Sequence, residues 1–374
     1  MPLPTIVKRA AAALALCGAL AATGVASAET ITVALVGPMV GTSFSVGRQY
    51  QTGVSAAWEA TGRQALGRPV EILAQDDGCN ETLAGSVARK LVELRPAVVI
   101  GHSCSAATLA GAPIYADAAI LQITPASTNP KVTEMGVATL FRMIGRDDRQ
   151  GVAAASMLAQ RYAGRRVGVV HAANAYGRGL GEIAVAEMTR LGAPPALTMI
   201  FEQSEGSFLP LVEKIITARL DALYIVGGAL DVGVLLRQIR LSGGEFPVYG
   251  SDTLVSEVFR QAAESYAEGV RFTFPPEPMS LPSASQAVAA IRAKGVEPIG
   301  YTLLAYAAYE TWREGVNRAR TTDAAAVAAA IRGAPVDTIL GPVSFDEKGD
   351  IRTATEPFVW YEWREGKRVR STDP

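Results

Sequence analysis

Short apolar runs alternate with amphipathic stretches along most of the chain. Residues 31–37 (ITVALVG), 70–76 (VEILAQD), 97–101 (AVVIG) and 119–124 (AILQIT) are close to continuous apolar segments. Runs of that length, with little alternation, suit strands covered on both faces. Between them, residues 49–61, 81–94 and 106–117 repeat apolar positions at helical spacing. The order strand, helix, strand, helix, strand, helix, strand predicts a doubly wound parallel sheet.

The pattern restarts after TLFRMIG (139–145). Helices are predicted over 148–162, 177–191, 207–218 and 232–241, with strands over 166–172, 196–202 and 222–228. The tail is less regular. FTFPPEPMSLP (272–282) reads as a proline-rich crossing, 301–317 and 322–333 as helices, GPVSFDEKGD (341–350) as a hairpin and PFVWYEW (357–363) as a closing strand. Two α/β lobes with several crossings between them would bend at those crossings. The length of 374 residues agrees, being too great for one ordinary core.

Charge removes one class of partner. Lys and Arg number 35 against 36 Asp and Glu, and no basic block stands out, so nucleic acid is not an expected partner.

The first residues add a compartment. Lys8 and Arg9 precede an apolar run over 10–22, and Ala26, Ser27 and Ala28 supply the small residues of a signal-peptidase site. Residues 1–28 are therefore expected to be a signal peptide, the mature chain to begin at Glu29, and the protein to reside in the periplasm. The run is short for a membrane span. Cys17 follows Leu16 and is followed by further apolar residues, a poor lipid-attachment site. Export leaves two cysteines, Cys79 and Cys104, each just after a predicted strand. Two cysteines in an exported chain most often pair. The alternatives are two buried thiols, or a metal site with His102 that lacks a fourth ligand.

The densest chemistry lies in GHSCSAATLAGAPIYADAAILQITPASTNP (101–130). Ser103, Ser105, Thr124, Ser127 and Thr128 cluster at the carboxyl ends of two predicted strands, the edge where open α/β sheets bind ligands. Hydroxyls and backbone N–H groups at helix starts suit a carboxylate. The same hydroxyls also suit helix caps and turns. No nucleophile stands with a base. Gly177, Gly179 and Gly181 give G-x-G-x-G, not the dinucleotide fingerprint, and stand several residues from the strand. No G-x-S-x-G elbow or phosphate loop occurs. An enzyme, a cofactor and a metal are not expected. His102 and His171 read as structural residues. Taken alone, Asp252 reads as a turn carboxylate and Tyr301 as a core residue beside Tyr306 and Tyr309.

Seven segments together change that picture: VALVGP, DDGCNE, IGHSCSAAT, ITPASTNP, FRMIGRDDRQG, VVHAANAYGRGLGE and VDTILGPVSFDEKGD. Through them the chain resembles the periplasmic leucine/isoleucine/valine-binding proteins of bacterial ABC importers, over nearly all of the mature chain. The resemblance implies the type I periplasmic binding fold, two Rossmann-like lobes with parallel sheets joined by a multi-crossing hinge. Lobe 1 would comprise 29–146 plus 275–350, and lobe 2 147–274 plus 351–374. It implies a Cys79–Cys104 disulfide, a monomer, an inner-membrane permease as partner and no cofactor. It assigns Ser105 and Thr128 to the ligand's α-carboxylate, with backbone near Ala126 assisting. Asp252, in VYGSDTL, would meet the α-ammonium, Tyr176 would close over the ligand and Tyr301 would border the pocket. Two positions depart from the leucine-type pattern: Ala229 and Val46 stand where tyrosines are usual. The expected function is binding of a hydrophobic or branched-chain amino acid by lobe closure. The alternative is a ligand-sensing module for another small carboxylate, an aromatic acid or amide, acting on a receptor or regulator.

Overall fold

The computed structural model describes residues 29–202, 206–352 and 356–372; the expected signal peptide, with Cys17, lies outside them. The first lobe begins with β1 (Ile31–Gly37), α1 (Phe44–Ala60), β2 (Gln64–Ala65), β3 (Arg68–Asp76), α2 (Glu81–Leu94), β4 (Val98–Ile100), α3 (Ser105–Asp117), β5 (Leu121–Thr124), α4 (Lys131–Glu134) and β6 (Leu140–Arg142). These strands form a six-stranded sheet in the order β2-β3-β1-β4-β5-β6. From β3 to β6 the pairing is parallel, with Val33 opposite both Ile72 and Val98. β1 sits inside the sheet with both faces covered, which is why it reads as an unbroken apolar run.

The second lobe follows with α5 (Asp147–Arg161), β7 (Val167–Ala172), α6 (Ala175–Arg190), β8 (Leu197–Phe201), α7 (Leu209–Thr217), β9 (Ala222–Val226), α8 (Ala229–Leu241), β10 (Val248–Gly250), α9 (Glu257–Ala263) and β11 (Arg271–Phe274). The chain then returns to lobe 1 as α10 (Ser285–Arg292), α11 (Thr302–Ala319), α12 (Ala324–Gly333) and a small sheet of β12 (Val336–Thr338), β13 (Gly341–Phe345) and β14 (Ile351–Arg352). It ends in lobe 2 as β15 (Val359–Arg364) and β16 (Lys367–Arg370). The second sheet runs β16-β15-β11-β10-β9-β7-β8, with β15 antiparallel to β11. β8 is its far edge and alternates partly buried with exposed residues, as a strand covered on one face does.

The return of the chain completes the core of lobe 1. α11 lies along α1, and Gly53 permits the approach: a Cβ there would fall 2.0 Å from the carbonyl oxygen of Thr302. Tyr301 N donates to Gln49 Oε1 at 2.7 Å across the same seam.

Three features depart from the sequence reading. The FTF at 272–274 belongs to β11, an interior strand with buried Phe272, Thr273 and Phe274, rather than to a linker. The prolines begin only at Pro275, after the strand has ended. β10 has three residues, too few to show a period. α1 and α8 start earlier than their apolar spacing suggests, at Phe44 and Ala229, because their first turns face the cleft between the lobes and not a core.

Candidate functional site

The carboxyl ends of both parallel sheets face one cavity of about 270 Å³. Lobe 1 supplies Val46 from α1, Cys79, Ser103, Cys104 and Ser105 from the ends of β3 and β4, Ala126 after β5, and Tyr301 at the start of α11. Lobe 2 supplies Tyr176 from α6, Ala229 from α8 and Asp252 from the turn after β10. Thr128 does not line the cavity. It is buried behind the wall, beside Asp147 at the start of α5.

The lobe 1 wall is an arrangement of helix starts and turns. Ser105 is the first residue of α3, so the unpaired N–H groups of that helix open onto the cavity beside its hydroxyl. Ser105 Oγ accepts from Asn129 N at 3.3 Å, which joins the turn after β5 to the turn after β4. These turns are tied three times, once in the wall itself and twice behind it. The Cys79–Cys104 disulfide joins the end of β3 to the end of β4 over a Cα–Cα distance of 5.4 Å. Beneath it, His102 Nδ1 lies 2.8 Å from Asp77 Oδ2, and Nε2 lies 3.1 Å from the Tyr115 hydroxyl. Asp77 Oδ1 also accepts from Cys79 N at 2.9 Å. The third tie is Arg142, fully buried at the end of β6. Its Nη1 donates to the carbonyls of Ser127 (3.1 Å) and Asn129 (2.8 Å), and its Nε to Asp350 Oδ1 (2.7 Å). His171 is buried too, with Nδ1 3.0 Å from the carbonyl of Ala172, and belongs to the packing of lobe 2.

Lobe 2 lines the cavity with two buried acids, Asp231 in the first turn of α8 and Asp252. Asp252 is 2 % exposed. Its Oδ1 accepts from the Tyr176 hydroxyl at 2.6 Å and from Gln150 Nε2 at 3.1 Å. Its Oδ2 accepts from the Tyr301 hydroxyl of lobe 1 at 2.7 Å. Burial pushes Asp252 above the usual carboxylate range, and these three neutral donors pull it partly back. Burial, followed by the Asp252 charge, raises the phenols of Tyr176 and Tyr301 well above their ordinary value. Among the described residues lining the cavity, none is a lysine, arginine or histidine. The carboxylate is hydrogen-bonded and uncompensated, and a cation entering the cavity would find it there.

The lobes also touch directly. Asn129 Nδ2 donates to the carbonyl of Ala175 at 2.7 Å, and the hydroxyls of Ser45 and Ser256 lie 3.3 Å apart. With Tyr301 on Asp252, three side-chain bonds cross the cleft, so the structure is a closed one.

Sequence reasoning passed over three residues of this machinery. Arg142, in FRMIG, looks like any strand-end cation. Gln150 looks like a surface helix residue. Asp147 stands beside Asp148 at a helix start, where both acids suit the helix dipole. Only the fold shows that Asp147 is fully buried while Asp148 is partly exposed. The run of FRMIGRDDRQG from strand into helix start was the one available signal.

The site holds hydrogen-bond donors for an anion on one wall and the acids Asp231 and Asp252 on the other. Among the described residues, no group of three or more His, Cys, Asp or Glu is placed to hold a metal.

Similarities to known proteins agree with this arrangement. The model of the periplasmic binding protein family matches residues 30–368. The chain is 34% identical over 338 residues to an amino acid binding protein of Pseudomonas aeruginosa, covering 89% of this chain and 90% of that one. It is 33% identical over 344 residues to a Leu/Ile/Val-binding protein of Escherichia coli, covering 91% and 93%. A leucine-binding protein from Thermotoga maritima superposes with a TM-score of 0.85 at 26% identity, over 91% of this chain and 98% of that one.

Proposed function

The chain belongs to the periplasmic binding protein family, and from that premise we propose that it is the substrate-binding protein of an ABC importer, holding an amino acid between two closing lobes. Lobe 1 is 29–146 with 275–350 and lobe 2 is 147–274 with 351–374. Asp252 carries the reading: a buried carboxylate, met by donors from both lobes, in a cavity without a basic lining residue. It takes the α-ammonium. The hydroxyl of Ser105, the start of α3 and backbone near Ala126 take the α-carboxylate, with Thr128 supporting them from behind the wall. Val46, Ala229 and the disulfide receive the side chain, in keeping with the hydrophobic and branched-chain ligands named for the relatives.

Closure follows from the division of contacts. The carboxylate site lies on one lobe and Asp252 on the other, so the ligand completes its contacts only when the lobes meet. A ligand stabilises a conformation by the difference in its affinity for the two. Tyr176 and Tyr301 then fix Asp252 from both sides. The mature protein, residues 29 onward, acts as a monomer in the periplasm and passes its ligand to an inner-membrane permease. An aromatic acid without an ammonium would leave Asp252 buried and uncompensated, which favours the amino acid over the sensing alternative.

Calorimetry of residues 29–374 against the standard amino acids and the keto acid of leucine tests the reading. Leucine, isoleucine or valine should bind and the keto acid should bind poorly. A keto acid that binds as well as leucine would make the site a plain carboxylate receptor and remove the role of Asp252.

A further inference from the structure

Gly177, Gly179 and Gly181, the G-x-G-x-G of the sequence, fall in the first two turns of α6. Each stands where a neighbour leaves no room for a Cβ. A Cβ on Gly177 would fall 2.6 Å from the carbonyl oxygen of Ala172, and one on Gly181 2.5 Å from the ring of His171. Both neighbours belong to β7, so these two glycines seat α6 on its own sheet. Gly179 differs. A Cβ there would fall 2.5 Å from Asn129 Nδ2, in the other lobe, and among the described residues outside α6 it would meet nothing else within 4 Å.

Asn129 is fixed by lobe 1 at every polar group but one. It is 3 % exposed. Its N–H donates to Ser105 Oγ, its carbonyl accepts from Arg142 Nη1 at 2.8 Å, and its Oδ1 accepts from Lys131 N at 2.9 Å. Nδ2 alone reaches lobe 2, where it donates to the carbonyl of Ala175 at 2.7 Å. Ala175 opens α6 and lies four residues before Gly179, on the same face of the helix. A helical side chain covers the turn that precedes it, so any side chain at 179 would cover that carbonyl. Tyr176, the residue after Ala175, is the one that holds Asp252 from lobe 2.

This bond stands apart from the other two that cross the cleft. Ser45, Ser256, Tyr301 and Asp252 all line the cavity, where a ligand can touch them; Asn129 and Ala175 do not. The bond forms when the lobes meet, whether or not the site is filled. Its free energy is therefore added to the closed form of both the empty and the loaded protein.

We propose that Asn129 and Gly179 form a latch between the lobes, closed by lobe movement rather than by ligand contact, that slows ligand release. Asn129 never touches the ligand; it is a positioning residue that holds the start of α6, and with it Tyr176, against lobe 1. The latch reads nothing of the ligand's side chain, so it acts alike on every ligand of the site. This inference rests on the reading of closing lobes above.

The test is stopped-flow binding of leucine, isoleucine and valine to residues 29–374, unaltered and as G179A. The added methyl displaces only the end of the Asn129 side chain, and alanine suits a helix interior better than glycine. Urea stability of the empty protein should therefore be unchanged or higher. Release of each ligand should nonetheless quicken about three- to tenfold, the worth of one neutral hydrogen bond. Association should change by less than about twofold. N129A should quicken release as well, and adding G179A to it should do little more, because the methyl then meets no amide. Unchanged release in G179A would overturn the proposal. So would effects of G179A and N129A that simply add, or a G179A that loses stability together with affinity. Failure of all three amino acids to bind the unaltered chain would instead bring down the amino-acid reading, and this inference with it.

Discussion

The two walls of the cavity solve opposite problems with opposite materials. Lobe 1 offers an anion only hydroxyls and backbone N–H groups, each weak alone and useful only when several converge. Its turns are accordingly tied by a disulfide in the wall and, from behind, by Asp77 with His102 and by Arg142 with Asp350. Lobe 2 offers a cation carboxylates, Asp231 and above all Asp252, which neutral hydroxyl and amide groups orient. A receptor built of dipoles needs a stiff frame. A receptor built of a charge needs instead to be kept dry and hydrogen-bonded. The charged pairs of lobe 1 are thus hidden from the ligand, and the acids of lobe 2 face it.

Removing Arg142 should break this contrast most severely. R142M leaves Asp350 as a buried acid with Arg146 as its remaining cation and frees the carbonyls of Ser127 and Asn129. Loss of one partner of a buried pair costs about 3–5 kcal/mol. Urea unfolding should show a stability loss of that order, with weakened ligand binding, although Arg142 lines no part of the cavity. A change under about 1 kcal/mol would mean that the frame does not depend on the guanidinium.

The covalent tie comes next. Opening the Cys79–Cys104 link in C79A/C104A should lower stability by at most about 3.5 kcal/mol on the chain-entropy account. The pair of Asp77 and His102 spans the same two strand ends and should keep the site assembled, so ligand binding should survive at reduced affinity. Complete loss of binding in a folded variant would show that the disulfide alone shapes the turn. Denatured, unreduced mature protein should contain no titratable thiol.

The smallest stability effect and the sharpest effect on binding belong to Asp252. D252N removes the charge and leaves the shape, and should weaken amino-acid binding by at least about 2 kcal/mol in calorimetry. Lobe 1 is untouched, so affinity for the keto acid should hold or improve. Equal weakening of both ligands would place the carboxylate in the frame rather than in recognition.

Much of the frame was legible in the sequence, and its reason is physical. Parallel strands covered on both faces appear as apolar runs, which exposed β1, β7 and β9. The cysteine pair was legible by elimination once the first residues read as an export signal. β11 was hidden by the prolines that follow it, and β10 by its shortness. Ser105 stood out in the hydroxyl cluster at the strand ends, Ala126, Tyr176, Asp252 and Tyr301 were found through family resemblance, and the fold does bring all five to one cavity. Thr128 lies one layer back, a distinction that local sequence does not encode. The bond from Tyr301 to Asp252, the burial of Asp147 but not Asp148, and the three-way grip of Arg142 all depend on which elements meet in space. No spacing along the chain reports that.

The late return of the chain to lobe 1 has a consequence for biogenesis. Gln49 receives Tyr301 across 252 residues of sequence, and the groove that Gly53 opens on α1 is filled only by α11. A ribosome making this protein releases residues 147–274 of the second lobe before it releases the helix that seals the first. During synthesis, lobe 1 is an open half-core waiting for its lid, and lobe 2 in turn waits for β15. Neither lobe can finish before the chain does, so a chain exported as its first residues suggest would meet the membrane without a folded domain to obstruct its passage.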